Sequence, residues 1–186
     1  MVKMEKLVCA QNMMRFMLRC MAMMLLSLAL YSCAGSRKHA ATKEMGKSHH
    51  AQEQAMRKAI VRHAEQFIGV PYKYGGNSPK EGFDCSGYVK YVFADFNIQV
   101  PRVTREYAHF GKRIRLSEVQ QGDLILFSLY DDKNTIGHIG IVSRIEGGKI
   151  MFLHAASGKN SRKVMESELA GIHLSRMLFI VNVLDK

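Results

Sequence analysis

The chain has 186 residues, 47% of them hydrophobic and 23% charged, with a formal net charge of +11. That length and apolar share exclude a disordered or collagen-like polymer and allow one domain with a modest core. Four cysteines in such a length are too few for a disulfide-dense scaffold.

The first element is a leader. Residues 21–30, Met-Ala-Met-Met-Leu-Leu-Ser-Leu-Ala-Leu, are uncharged and apolar, with Arg15 and Arg19 ahead of them and Lys3 and Lys6 further back. A basic segment followed by so short a run predicts a signal peptide over residues 1–32, since a membrane span needs about 20 apolar residues. The run ends in Leu30-Tyr31-Ser32-Cys33-Ala34-Gly35, which resembles a bacterial lipobox. That resemblance implies cleavage before Cys33, lipid on its sulfur and firm anchoring by several acyl chains. Ala34, rather than an acid, after the lipid cysteine implies an outer-membrane lipoprotein facing the periplasm. An ordinary signal peptide with an incidental Cys33 is the alternative. Glu5 is an unusual charge for such a leader, so translation is expected to start at Met13 or Met14.

Losing the leader removes Cys9 and Cys20, lipid consumes Cys33, and Cys85 is left as the free thiol. Exported proteins normally pair their cysteines, so a thiol kept free points to catalysis. The leader's Lys3, Lys6, Arg15 and Arg19 stand against Glu5, which leaves +8 of the +11 on the mature chain. An exported protein seldom meets nucleic acid, and an anionic membrane or cell-wall polymer suits this charge better. Much of it falls on Arg37, Lys38, Lys43 and Lys47 in residues 33–50, expected to be a flexible tether. His49-His50 there is read as a solvated pair rather than a metal site.

Residues 51–186 form the expected domain. A helix is predicted over 51–68, with Ala55, Ala59, Ile60, Ala64, Phe67 and Ile68 on its buried side and Gly69 stopping it. The loop Val70-Pro71-Tyr72-Lys73-Tyr74-Gly75-Gly76 leads towards Phe83-Asp84-Cys85-Ser86-Gly87. Behind Cys85, residues Tyr88, Val89, Val92, Phe93 and Phe96 repeat at helical spacing. Asp84 is then an N-cap, and Cys85 starts the helix. The helix dipole there favours thiolate over thiol, which prepares a nucleophile. The plainer alternative is a small buried hydrophobe. A short helix is expected over 104–111. Strands are predicted at 123–129, 136–143, 150–155 and 178–183, with a hairpin turn at Glu146-Gly147-Gly148-Lys149. Helices first and an antiparallel sheet afterwards indicate an α+β fold.

Two histidines fall in these strands. His138 shares a strand face with Gly140 and Val142, and His154 ends the neighbouring strand. Cross-strand side chains lie about 5 Å apart, so the two can share one face. One would take the proton from Cys85 and return it to a leaving amine, while the other fixes the tautomer of the first. A zinc site of Cys85 with the two histidines is the competing arrangement.

The ordered set Pro71-Tyr72-Lys73-Tyr74-Gly75-Gly76, Phe83-Asp84-Cys85-Ser86-Gly87, Val100-Pro101-Arg102, Gln121-Gly122-Asp123-Leu124, Gly137-His138-Ile139-Gly140-Ile141 and Leu153-His154-Ala155 resembles the NlpC-type cell-wall cysteine peptidases. The resemblance covers about residues 55–183 and implies a compact papain-like fold. It implies Cys85 as nucleophile, His138 as base and His154 as the third, polar member. It further implies Tyr72 at the oxyanion with the Cys85 N–H, and Asp84 and Ser86 at the substrate's free amino end. The implied substrate is a peptidoglycan stem peptide cut between D-γ-glutamyl and a diamino acid, with no metal or cofactor, by a monomer. An amidase or transferase using the same thiol, and a wall-peptide binding module without activity, are the alternatives.

Overall fold

The computed structural model describes residues 14–21, 23–24, 47–129, 132–158 and 161–184. It divides into two units, Met1–Ala51 and Gln52–Lys186. In the first, residues 14–21 and 23–24 are helical, with Met14, Phe16, Met17 and Leu18 exposed. No helix among the described residues is long and apolar enough to cross a membrane. The lipobox residues 30–33 and the tether residues 34–46 lie outside the described residues.

Helix α1 covers residues 47–65. It starts earlier than expected, so residues 47–50 are helical rather than tether. Nothing in Lys47-Ser48-His49-His50 breaks a helix. It also ends earlier, because residues 66–69 turn through bonds such as Gln66 N–H to His63 O (3.2 Å) and Phe67 N–H to Ala64 O (3.2 Å). Arg57, 1% exposed, ties α1 to the rest of the fold. Its Nη1 donates to Asp123 Oδ1 (2.8 Å) and the Gln121 carbonyl (3.0 Å), and its Nε to Glu53 (2.7 Å). The Gln121-Gly122-Asp123 stretch is thus a structural clamp.

Strands β1 (Asn77–Ser78) and β2 (Gly82–Phe83) form a small hairpin ahead of helix α2 (Cys85–Ala94). The Tyr88 hydroxyl donates to the Ala64 carbonyl (2.9 Å) and locks α2 onto α1. A 3₁₀ helix over Thr104–His109 occupies the place of the expected short helix. Then come β3 (Lys112–Ile114), a 3₁₀ turn (Leu116–Glu118), β4 (Leu124–Ser128), β5 (Ile136–Glu146), β6 (Lys149–Ala155), β7 (Val164–Glu168), helix α3 (Gly171–Arg176) and β8 (Met177–Asn182). The six-stranded sheet runs β3-β8-β4-β5-β6-β7, antiparallel throughout. The expected hairpin pairs Glu146 with Lys149.

Side chains alternate across the sheet and divide the core in two. Leu124, Leu126, Ile139, Ile141, Leu153 and Val181 join α1 and α2 through Ile60, Tyr88, Val89, Val92 and Phe93. On the other face Ile125, Phe127, Val142, Phe152 and Ile180 pack with Leu169. Each fully buried Leu, Ile, Val or Phe contributes roughly 1.5–3 kcal/mol. β4 is buried at every position, which is why its sequence lacks polar alternation.

Candidate active site

The loop before α2 is built around Asp84. Its Oδ1 accepts from the N–H of Gly87 (2.6 Å), and so Asp84 is the N-cap that the sequence predicts. Its Oδ2 accepts from Gly75 N–H (3.0 Å). Arg102 adds a two-pronged contact, Nη1 to Oδ1 (3.0 Å) and Nη2 to Oδ2 (2.9 Å), and the Ser86 hydroxyl donates to Oδ1 (3.3 Å). Five donors of its own chain therefore occupy a carboxylate with about four lone-pair sites. A substrate amino end would have to displace one of them. Gly87 is fixed by the same packing, since a Cβ there would lie 2.1 Å from the Gly76 carbonyl oxygen.

Cys85 follows as the first residue of α2. It lines a cleft of about 640 Å³ with Tyr72, Tyr74, Asp84, Ser86 and Arg102. Tyr72 lines the cleft wall with the thiol, and burial, Cys85 and Asp84 hold its phenol above the ordinary value. The thiol itself departs from expectation. Burial and then the Asp84 carboxylate push it up to about 11, against the backbone N–H groups of Ser86, Ile139 and Cys85. The free protein therefore holds a thiol at neutral pH, not a thiolate. A helix dipole contributes about 0.3–1 kcal/mol, whereas one pKa unit is already 1.36 kcal/mol, and burial shifts a group by several such units.

The histidines sit on β5 and β6. Their rings meet at Nε2 of His138 and Nδ1 of His154, 2.8 Å apart. Behind them, His154 Nε2 lies 2.9 Å from the Ser167 hydroxyl on β7. Phe127 packs on His138 with ring centroids 5.9 Å apart, and Phe152 on His154 at 4.9 Å. A Cβ at Gly140 would strike the Phe152 ring at 2.5 Å, so this position must be glycine for the ring to lie against His154. His138 is lowered to about 4 by burial, Arg176 and His173; His154 is lowered to about 2 by burial, His138 and His173. Both imidazoles are neutral at pH 7. With Nε2 of His138 engaged, Nδ1 is the nitrogen left to take a proton.

These histidines line a second cavity of about 270 Å³, and it meets the Cys85 cleft at Leu129 and Gly137. The Ile139 N–H that faces the sulfur is the residue next to His138. Among the described residues no hydrogen bond joins Cys85 to His138; the structure brings the histidines together with each other and sets the thiol on the adjoining wall. No cluster that could hold a metal occurs among the described residues, and His49 and His50 are exposed on α1. Sequence reasoning missed Ser167, His173 and Arg176. β7 reads Val164-Met165-Glu166-Ser167-Glu168, whose acids hide a strand, and the six-residue α3 carries too little periodicity to be found. Arg102 was legible as part of Val100-Pro101-Arg102, but its pairing with Asp84 was not.

A family profile described as the NlpC/P60 family matches residues 69–181. The chain is 37% identical over 107 residues to the murein DD-endopeptidase MepH of Escherichia coli K12, covering 56% of this chain and 39% of that protein. It is 42% identical over 83 residues to a gamma-DL-glutamyl hydrolase of Bacillus subtilis 168, covering 44% of this chain and 20% of the relative. The chain thus spans less than half the length of either. Among solved structures, a protein from Staphylococcus aureus Mu50 described as similar to lipoprotein, NLP/P60 family, superposes with a TM-score of 0.58 at 29% identity. That match covers 68% of this chain and 41% of the other.

Proposed function

The chain belongs to the NlpC/P60 family, and on that premise we propose that it is a cysteine endopeptidase of peptidoglycan, anchored by lipid on Cys33. The bond cut joins D-γ-glutamyl to a diamino acid of the stem peptide. The observation that supports this best is the adjoining of the Cys85 cleft and the His138–His154 pair at Leu129 and Gly137. Cys85 Sγ attacks the scissile carbonyl carbon while its proton passes to Nδ1 of His138. His154 accepts from Nε2–H of His138 and donates from its own Nε2 to Ser167, which keeps the His138 proton on the far nitrogen and Nδ1 open. The Cys85 N–H and Tyr72 receive the negative oxygen. Collapse breaks the C–N bond, and the Nδ1 proton leaves with the amine. Water then hydrolyses the thioester, giving one proton to His138 and its hydroxide to the carbonyl, and the thiol is restored. Arg102 and Ser86, on the cleft wall with Asp84, hold the acyl-side peptide.

A second reading of the bond comes from the murein DD-endopeptidase among the relatives: cleavage of the D,D cross-link between stem peptides. Digestion of purified sacculi, followed by mass spectrometry of the muropeptides, separates the two. Shortened stems ending in D-glutamate are expected from the first; loss of cross-linked dimers without shortening would replace it by the second. No change with wild-type protein would refute both. For the anchor, labelled palmitate is expected to enter the wild type and not Cys33→Ser; an unlabelled wild type would make this a secreted enzyme.

A further inference from the structure

The loop that carries Tyr72 is paired with the start of β7. Val164 N–H donates to the Val70 carbonyl (2.8 Å), Gly69 N–H to the Val164 carbonyl (2.9 Å) and Tyr72 N–H to the Arg162 carbonyl (3.0 Å). Pro71 and Lys163 face each other between these bonds. Arg162 therefore meets Tyr72 twice. Its main chain fixes the Tyr72 backbone, and its exposed side chain lies over the Tyr72 ring, with the guanidinium carbon 5.4 Å from the ring centroid. Among the described residues no carboxylate pairs with this guanidinium. Arg162 does not line the Cys85 cleft itself, and Tyr72 does. Ser161, the residue before it, lines the histidine cavity, so one short segment supports both halves of the site.

Charge decides what this contact does to the hydroxyl. The Tyr72 phenol is half-buried and makes no hydrogen bond among the described residues, so its O–H is left to meet a substrate atom in the cleft. Burial, Cys85, Asp84 and Tyr74 keep the proton on that oxygen, and Arg162 acts the other way. A phenol that keeps its proton can donate, and a cation beside it makes the donor stronger. The proposed reaction sets a further negative charge against this hydroxyl, in a cleft that already holds the Asp84 carboxylate. We propose that Arg162 is a positioning residue for that reaction: it holds the Tyr72 ring on the cleft wall and makes its hydroxyl the stronger donor to the oxyanion. The inference rests on the peptidase reading above. Arg162 acts through Tyr72 and not on the substrate.

The test separates the charge of Arg162 from its main chain, which every variant keeps. Arg162→Gln retains a planar polar side chain and loses the charge; Arg162→Lys retains the charge. The full chain is labelled at the tyrosine ring carbon that bears the hydroxyl and titrated by NMR, with the Tyr72 signal identified by its loss in Tyr72→Phe. Its midpoint is expected to move to higher pH in Arg162→Gln and to stay near wild type in Arg162→Lys. An unmoved midpoint in Arg162→Gln, or equal shifts in the two variants, overturns the proposal. On soluble muropeptides, Arg162→Gln should lower kcat about two- to fivefold, the scale of an exposed cation–π contact, with KM unchanged, and Arg162→Lys should recover most of that loss. Made on top of Tyr72→Phe, the Arg162→Gln substitution should change kcat no further. An equal loss with and without the Tyr72 hydroxyl would mean that Arg162 serves the fold at large, and it too overturns the proposal. Should wild type cleave no muropeptide, the peptidase reading fails separately, and the titration still decides whether Arg162 governs the phenol.

Discussion

Cys85 and His138 stand on adjoining walls, yet their surroundings carry opposite charge. Beside the thiol is the Asp84 carboxylate, which with burial resists a second negative charge. Beside the imidazole are Arg176 and His173, which with burial resist a second positive one. Each field opposes ionisation of its own group, and so the resting pair is a neutral thiol and a neutral imidazole. The lesson is about timing. A thiolate is not stored in the free protein, so in the proposed reaction the proton has to move as the carbonyl is attacked or when a substrate alters one of the two fields.

The most damaging way to break this pairing is to delete the thiol. Cys85→Ala should reduce muropeptide release to background, since no other free thiol occurs among the described residues of the domain. His138→Ala should cost about 10²–10⁴-fold in kcat, the usual worth of a positioned base. A His138→Ala protein that cuts at the wild-type rate would leave the imidazole side without a role.

Acidity sharpens the comparison next. His138 and His154 are depressed from 6.5 to about 4 and about 2. Unfolded, they take protons as the pH falls past 6.5; folded, they resist. The stability they contribute is fully present above 6.5 and is lost as the pH falls towards about 4. Melting temperature should decline over that window, and kcat/KM should fall as the pH drops through about 4. An acid limb near 6.5 in both would show that the imidazoles are not desolvated.

On the thiol side, the rate of alkylation by iodoacetamide should keep rising towards pH about 11. Asp84→Asn removes the neighbouring charge while keeping a capping side chain, and it should shift that titration downwards. A plateau near pH 6 in wild type would restore the thiolate. The smaller effects belong to the supports. His154→Ala should be milder than His138→Ala, about a hundredfold, through a misplaced base. Ser167→Ala should cost about fivefold in kcat, the worth of one hydrogen bond, with KM unchanged. A Ser167→Ala protein as impaired as His154→Ala would mean that the hydroxyl holds β6 and β7 together rather than a tautomer.

What could be read from the residues was whatever is local. The N-cap by Asp84, the start of α2 at Cys85, the Gly147-Gly148 hairpin and the strands β4, β5, β6 and β8 all follow from short-range pattern. The meeting of His138 and His154 did not follow from the hairpin alone: the register that Glu146 and Lys149 begin would set His154 across from Ile141, on the face away from His138, and the shift between Val142 and Arg144 brings the two rings to one face. Illegible were the effects of partners distant in sequence. The Arg102–Asp84 pair spans 18 positions, and the Arg57–Asp123 pair 66. Desolvation of the thiol is such an effect too, since it depends on β5 closing over the start of α2. A helix start taken alone predicts the wrong protonation state.

The strand order has a bearing on biosynthesis. β8, the last strand in chain order, lies between β3 and β4 rather than at a margin. Until Met177–Asn182 emerges, both neighbours keep an open edge, and the wall of the sheet that carries Phe127 beneath His138 lacks support from Met177 and Ile180. A nascent or prematurely terminated chain thus holds every residue from Cys85 to His154 and still has no finished sheet to aim them. Completion of the sheet behind the histidines therefore waits on the last strand to be made.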